Sequence, residues 1–334
     1  MTRCLNCKLF ATVAILFACQ LSSAFAQQRN SSPTDNYPNK PVRILVGNAP
    51  GGGSDITARA VAQKLTEQWN GHSVIVENRA GASGIIAFDS VARAAPDGYL
   101  LLVASSSSLA SAQAQRKLAF DIRKDYEAIT QLTSQSMLVL AIPTLPANTV
   151  AELVALAKAR PGALNLGSSG AGSIAHAALE LFNSLASIEI AHIPYKGIGP
   201  ALTAILGGEL PLAIATPVSG QPFIKTGKLK AIASTGAKRE RALPDLPTFS
   251  ESGVPLELDD WFGAYTTGGS PAGVVSFLHR DITRALASPD VQNRLGGADA
   301  APSPTPADAR QKIAGDIVRW EKIIKIPRFA NSLQ

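Results

Sequence analysis

The chain has three cysteines, and all of them, Cys4, Cys7 and Cys19, lie before Ala26. Removal of that segment leaves no thiol for a disulfide, a thiolate nucleophile or a sulfur-bound metal. Beyond the run from Leu9 to Leu21, nothing approaches the ~18 uninterrupted apolar residues of a membrane-spanning helix. Histidine is scarce, and His72, His176, His192 and His279 show no metal-ligand spacing, so no metal is expected. There is no Gly-x-Ser-x-Gly elbow and no Walker lysine motif. A Ser169, His176 and Asp55 triad can be drawn, but nothing in the spacing requires it. The basic residues are scattered, with one cluster at Lys238-Arg239-Glu240-Arg241, which gives no stripe for a nucleic acid.

The N-terminus reads as an export signal. Arg3 and Lys8 precede the apolar run, and Ala24-Phe25-Ala26 fits the small-x-small rule for cleavage before Gln27. A second reading takes Leu16-Phe17-Ala18-Cys19 as a lipoprotein box that leaves Cys19 lipid-anchored. Cleavage after residue 26 leaves 308 residues and lowers the net charge from +6 to +4. Residues 27–36 are polar and read as a disordered leader. The remainder is long enough for two lobes.

Strand-like and helix-like runs alternate almost throughout, the signature of an α/β architecture with parallel sheets. Two glycine-rich turns, Pro50-Gly51-Gly52-Gly53-Ser54-Asp55 and Gly167-Ser168-Ser169-Gly170-Ala171-Gly172-Ser173, each follow a strand-like run and open a helix. The strand at 99–104 is expected to end in the serine run 105–108. The strand-like stretch 137–142 restarts the pattern, which marks a second lobe. Past Trp261 the chain reads as helical: Val274, Leu278, Ile282 and Leu286 fall four apart, and Ile313, Ile317, Trp320 and Ile324 fall four, three and four apart. The segments assigned are lobe one over 37–140, lobe two over 141–259, and a helical return to lobe one over 260–334. Two crossings, near Ala141 and Asp259, make a hinge around a cleft.

Both turns look like anion cradles. A helix N-terminus presents unpaired N–H groups and about half a positive charge, so a carboxylate is stabilised there without arginine or lysine. In the first turn Ser54 reads as the N-cap and Asp55 as a first-turn carboxylate. Gly51, Gly52 and Gly53 are more glycine than a turn needs, which points to close approach of a ligand. In the second turn, Ser168, Ser169, Ala171, Gly172 and Ser173 surround the bend, and His176 lies one turn into the helix, either facing the cleft or packed within the turn. Ser83, Ser105, Ser106, Tyr195 and Lys196 are placed at the ends of strands or starts of helices, where open α/β sheets bind ligands. Gly170-x-Gly172-x-x-Ala175 also matches a relaxed dinucleotide fingerprint, with Glu189 at ribose distance, the reading of a NAD-dependent dehydrogenase.

Six segments together carry a family resemblance: Tyr37-Pro38-Asn39-Lys40-Pro41-Val42-Arg43, Pro50 to Asp55, Glu77-Asn78-Arg79, Ala95-Pro96-Asp97-Gly98-Tyr99, Tyr195-Lys196-Gly197 and Leu243-Pro244-Asp245-Leu246-Pro247-Thr248. The chain resembles the Bug-type extracytoplasmic solute receptors of tripartite tricarboxylate transporters from Tyr37 to about Ile326. The resemblance implies a two-lobed periplasmic-binding-protein fold, non-enzymatic and without cofactor, that closes on a small organic carboxylate. It implies two integral membrane subunits as partners and a monomeric receptor in the periplasm. It assigns carboxylate binding to Gly51 to Asp55 and Ser168 to Ser173, with His176 beside them. Asn48 stands where the family commonly has an aromatic residue, replacing an apolar lid by an amide. The stretch Leu210 to Ser219 lacks an acidic residue often found there, which lowers the case for an amino-acid ligand unless Asp55 faces the cleft. The expected ligand is a dicarboxylate, aliphatic or aromatic such as a phthalate isomer. A sensory receptor for a membrane kinase is the alternative role.

Overall fold

A strand buried on both faces and followed by a helix opens each of the two sheets. The computed structural model describes residues 36–115, 117–296 and 298–333; the expected signal segment, Cys19 and nearly all of the leader lie outside them. In the first sheet β1 (Val42–Val46) leads into α1 (Gly53–Gln68), β2 (Val74–Asn78) into α2 (Ile85–Ala92) after a short 3-10 turn, and β3 (Leu100–Ser105) into α3 (Ser106–Gln115). The long β4 (Tyr126–Ser136) completes this half. The second sheet uses β5 (Leu138–Ala141), α4 (Val150–Ala159), β6 (Asn165–Ser168), α5 (Ile174–Ala186), β7 (Ala191–Pro194) and α6 (Ile198–Leu206). It ends with β8 (Leu212–Ala215), α7 (Pro217–Lys225) and β9 (Lys230–Ser234). The chain returns through β10 (Asp259–Thr267), α8 (Ala272–Leu286), β11 (Asp299–Ala300), α9 (Pro306–Ile323) and α10 (Pro327–Ser332).

The strand orders are β11-β4-β10-β3-β1-β2 and β7-β6-β8-β5-β9. The α/β class holds, but the sheets are mixed rather than parallel. β2, β1 and β3 pair in parallel, and so do β7, β6 and β8. β10 runs antiparallel to both β3 and β4, and β5 antiparallel to β8 and β9. β5 and β10 are the strands by which the chain enters a sheet from the other lobe, and each arrives from the opposite end; the short β11 is also antiparallel, to β4. β10 therefore corrects the expectation that the chain past Trp261 is all helix.

The first crossing falls at Met137, inside a single residue between β4 and β5, rather than near Ala141, which lies within β5. The return is at Asp259, paired with Ser136. Thr235 stitches the two passages: its hydroxyl accepts from Met137 N–H at 2.9 Å and donates to Leu258 C=O at 2.6 Å, and its own N–H donates to Met137 C=O. There is also a third passage. α9 packs on lobe one against α3 and β4, but α10 packs on α5 of lobe two, where Phe329 is fully buried and Arg328 pairs with Glu180 at 2.7 Å. The final segment is thus not wholly a return to lobe one.

Local signals account for the helices. α9 begins with a capping box between Thr305 and Asp308 and has Pro306 in its first turn; it buries Ile313, Ile317 and Trp320. The four-serine run is not a strand terminus alone: Ser106 opens α3. Two of the recognisable segments hold each other at the base of lobe one. Lys40 meets Asp97 at 3.1 Å and lies over the Tyr99 ring, whose hydroxyl donates to Asn39. Arg43 and Glu77 form a two-pronged pair across β1 and β2.

Candidate ligand-binding site

The first glycine turn points the start of α1 into the gap between the sheets. Gly51 adopts φ +85°, a conformation glycine allows at no steric cost. Gly52, not Ser54, is the N-cap and contributes no side chain, so the leading N–H groups of α1 have no side-chain cap. Ser54 lies within the helix, its hydroxyl 3.4 Å from the Asn48 amide. Asp55 is turned into the fold and fully engaged. It accepts from Gly51 N–H at 3.0 Å, Arg59 at 3.0 Å and Asn78 at 2.9 Å, which tightens the turn and takes the carboxylate away from any ligand.

The second turn is satisfied from within. Ser168 accepts from Gly170 N–H at 3.0 Å and is 2.6 Å from His192 Nε2. Gly172 N–H donates to His176 Nδ1 at 3.1 Å, and Ser173 caps α5 by accepting from His176 N–H. His176 is 0 % exposed and stacks on His192 with ring centroids 3.8 Å apart and 9° between planes. Burial, and then the neighbouring His192, push its pKa down to about 3; burial lowers His192 to about 4. Both rings are neutral at pH 7. His176 Nε2 then carries the proton, 3.9 Å from Glu180 and without a hydrogen bond. The histidine props the turn from beneath and does not reach the cleft.

The cleft is closed. Ala49 N–H donates to Lys196 C=O at 2.9 Å, Ser83 Oγ to Ala171 C=O at 2.9 Å, and Ser111 Oγ to Gly172 C=O at 2.6 Å. Gly199 lies so close to the Pro50 carbonyl that no side chain fits between them. Enclosed by these contacts are two adjoining chambers of about 20 and 40 Å³. The smaller is walled by Asn48, Ser83, Ser111 and Gln115 against Ser169, Ala171, Gly172 and Ser173. The larger is walled by Gly52, Gly53 and Ser54 of α1, by Ser105, Ser108, Asp260 and Phe262, and from lobe two by Ser173, Ile174, Ile198 and Thr216.

Of the residues proposed from sequence, Asn48, Gly52, Gly53, Ser54, Ser83, Ser105, Ser169, Ala171, Gly172 and Ser173 line these chambers. Gly51 faces an open groove outside them. Asp55, Ser168 and His176 are consumed internally, as described. Ser106 donates to Asp260 at 3.2 Å. Tyr195 packs with the apolar cluster of lobe two, and Lys196 contributes its carbonyl to closure while its side chain stays exposed. Sequence reasoning missed Ser108, Ser111, Gln115, Thr216, Asp260 and Phe262. The serine run was the available signal for Ser108; Phe262 sits in a strand where a helix is expected, and Asp260 beside the crossing just before it. Among the described residues no lysine, arginine or histidine lines either chamber, and Asp260 is the one ionisable group that does. The dinucleotide reading fails here, since Ser111 and Gln115 close over Gly172 where a pyrophosphate would have to lie.

A family model described as "Tripartite tricarboxylate transporter family receptor" matches residues 57–327. The chain belongs to that family. It is therefore a substrate-binding receptor and not an enzyme. The receptor is 32% identical over 295 residues to protein BugT of Bordetella pertussis, covering 87% of this chain and 90% of that one. MatC of Rhodopseudomonas palustris, solved with malate bound, is 30% identical with a TM-score of 0.80 over 86% of this chain and 100% of its own. A second R. palustris protein, solved with adipate, is 31% identical with a TM-score of 0.81 over 88% and 98%. The two-lobed α/β fold of the receptor is thus that of periplasmic binding proteins. No described helix is long and apolar enough to cross a membrane.

Proposed function

We propose that this receptor works in the periplasm, closes on a small aliphatic dicarboxylate and presents the closed form to two integral membrane subunits of a tripartite transporter. The observation that carries the reading is the N-terminus of α1, without a side-chain cap, facing the serine and glycine loop of lobe two across a closed cleft with no fixed cation among its described lining residues. A carboxylate is stabilised there by N–H groups and hydroxyls, each bond to a charged group contributing roughly 1.5–3 kcal/mol. A handful of such bonds reaches micromolar affinity after the entropy of binding, on the order of 8 kcal/mol net. Two donor-lined surfaces facing one another suit a chain with a carboxylate at each end. The malate and adipate bound by the two relatives are ligands of that kind.

A thermal-shift screen of the protein from residue 27 onward tests this against aliphatic and aromatic mono-, di- and tricarboxylates and nicotinamide dinucleotides. A ligand at 100 times its Kd adds roughly 2.7 kcal/mol of stability. Shifts of several degrees confined to aliphatic diacids are expected. A shift only with aromatic acids or with dinucleotides would overturn the ligand class.

A further inference from the structure

Among the described residues, the one ionisable side chain lining the two chambers is an acid, Asp260, although the ligand proposed above is an anion. Asp260 is the second residue of β10, is 3% exposed and lines the larger chamber beside Phe262, Thr216 and Ser105. Its Oδ1 accepts from Ser106 Oγ and from Ser107 N–H, both at 3.2 Å, at the start of α3. Among the described residues no lysine, arginine or histidine forms an ion pair with it. Burial raises its pKa, and the neighbouring hydroxyls and N–H groups act against that shift. Capping α3 needs only an acceptor, which an amide or a hydroxyl would supply without the cost of burying a charge.

An unpaired buried carboxylate beside an anionic ligand is unfavourable on both counts, desolvation and like-charge repulsion. A ligand that brings a cation to that wall removes both. We infer that Asp260 is a specificity-determining residue that accepts hydrogen bonds from a protonated amine on the ligand, so that the preferred substrate is an amino-substituted carboxylate. This rests on the carboxylate reading above and narrows it. The acceptor for an ammonium group, missing from 210–219 and not supplied by the engaged Asp55, comes instead from the returning strand. The carboxylate end of the ligand is then held at Gly52 to Ser54 and its amine at Asp260, all of which line the larger chamber.

The test is calorimetric titration at pH 7.5 with matched pairs: succinate against 2-aminosuccinate, and glutarate against 2-aminoglutarate. Wild type is expected to bind the amino member of at least one pair ten times or more tightly than its unsubstituted partner. Asp260→Asn keeps the shape and the acceptor toward Ser106 and Ser107; it is expected to lose that preference and to gain affinity for the unsubstituted diacid. Equal binding of both members by wild type would overturn the inference and leave the carboxylate receptor standing. An amino preference that survives in Asp260→Asn would also overturn it. Failure of wild type to bind any of the four would overturn both. The ratio within a pair is a readout that a purely structural role of Asp260 would not move.

Discussion

At the first glycine turn, α1 begins behind a residue with no side chain, and its leading N–H groups face the cleft uncapped. At the second, Gly170 donates to Ser168, Gly172 to His176, and Ser173 caps α5. One turn offers donors; the other has spent several of its own on holding its shape. The second instead presents hydroxyls and a wall made rigid by a stacked pair of neutral imidazoles. A binding cleft that closes needs both kinds of surface, since donors left free lower the barrier to holding an anion and a stiff opposing wall reduces the entropy lost on closure. Glycine serves both turns through backbone that other residues rarely adopt, at φ +85° for Gly51 in the first and +132° and +76° for Gly170 and Gly172 in the second.

The difference predicts where each substitution registers. His176→Ala removes a buried ring packed on His192 and Phe329 and leaves Gly172 N–H without its acceptor. It is expected to cost about 3 kcal/mol of folding stability in a denaturant titration, with little change in the affinity of the protein that remains folded. Gly52→Val acts the other way. Its Cβ would lie 3.3 Å from Ile198 Cγ2 of the other lobe, and its methyls enter the larger chamber. Affinity for the best diacid is expected to fall roughly 30-fold, about 2 kcal/mol of overpacking felt only in the closed form, while the melting temperature stays within a few degrees. If the two variants exchanged phenotypes, the division of labour between the turns would be wrong.

The imidazole pair also sets a pH dependence. Its folded pKa values, about 3 and about 4, lie below the roughly 6.5 of an unfolded histidine. Between those values the unfolded chain binds more protons, so the contribution is complete above pH 6.5 and is lost as pH falls. Denaturant titrations at pH 7.5, 6 and 5 should show a decline of up to about 1.4 kcal/mol per pH unit for each ring, and His176→Ala should flatten the slope. The smallest effect expected is at the rim. Ser83→Ala removes one hydrogen bond across the closed cleft, to Ala171, and should weaken binding about threefold by calorimetry without altering the unliganded fold.

Several of these features were legible in the residues. The strand, glycine turn and helix order announced both cradles, because φ > 0 and close approach are demands that glycine meets locally. The long-period helices α8 and α9 were visible as four- and three-residue spacings on Val274 to Leu286 and Ile313 to Trp320. β4 was not, since Thr130, Gln131 and Thr133 are polar and yet buried, which a hydropathy pattern scores as surface. β10 was hidden by the helices that follow it. The sequence does not tell whether Asp55, His176 and Ser168 serve the turns or a ligand, because a polar side chain near a glycine turn has the same appearance either way; the structure places all three in hydrogen bonds within the turns.

The residues alone fix the local elements, the two glycine-rich turns that open helices, and the family motifs that tie the base of lobe one through Lys40, Asp97 and Tyr99. Which polar groups are already used and which line the cleft depends on the assembled fold. That depends on neighbours more than a hundred residues away: β10 places Asp260 against Ser106, and β4 meets β10 at the crossing beside Thr235. Hydrogen bonding is satisfied pair by pair at short range in space, so the chemistry left over for a ligand is fixed only once the sheets have been assembled.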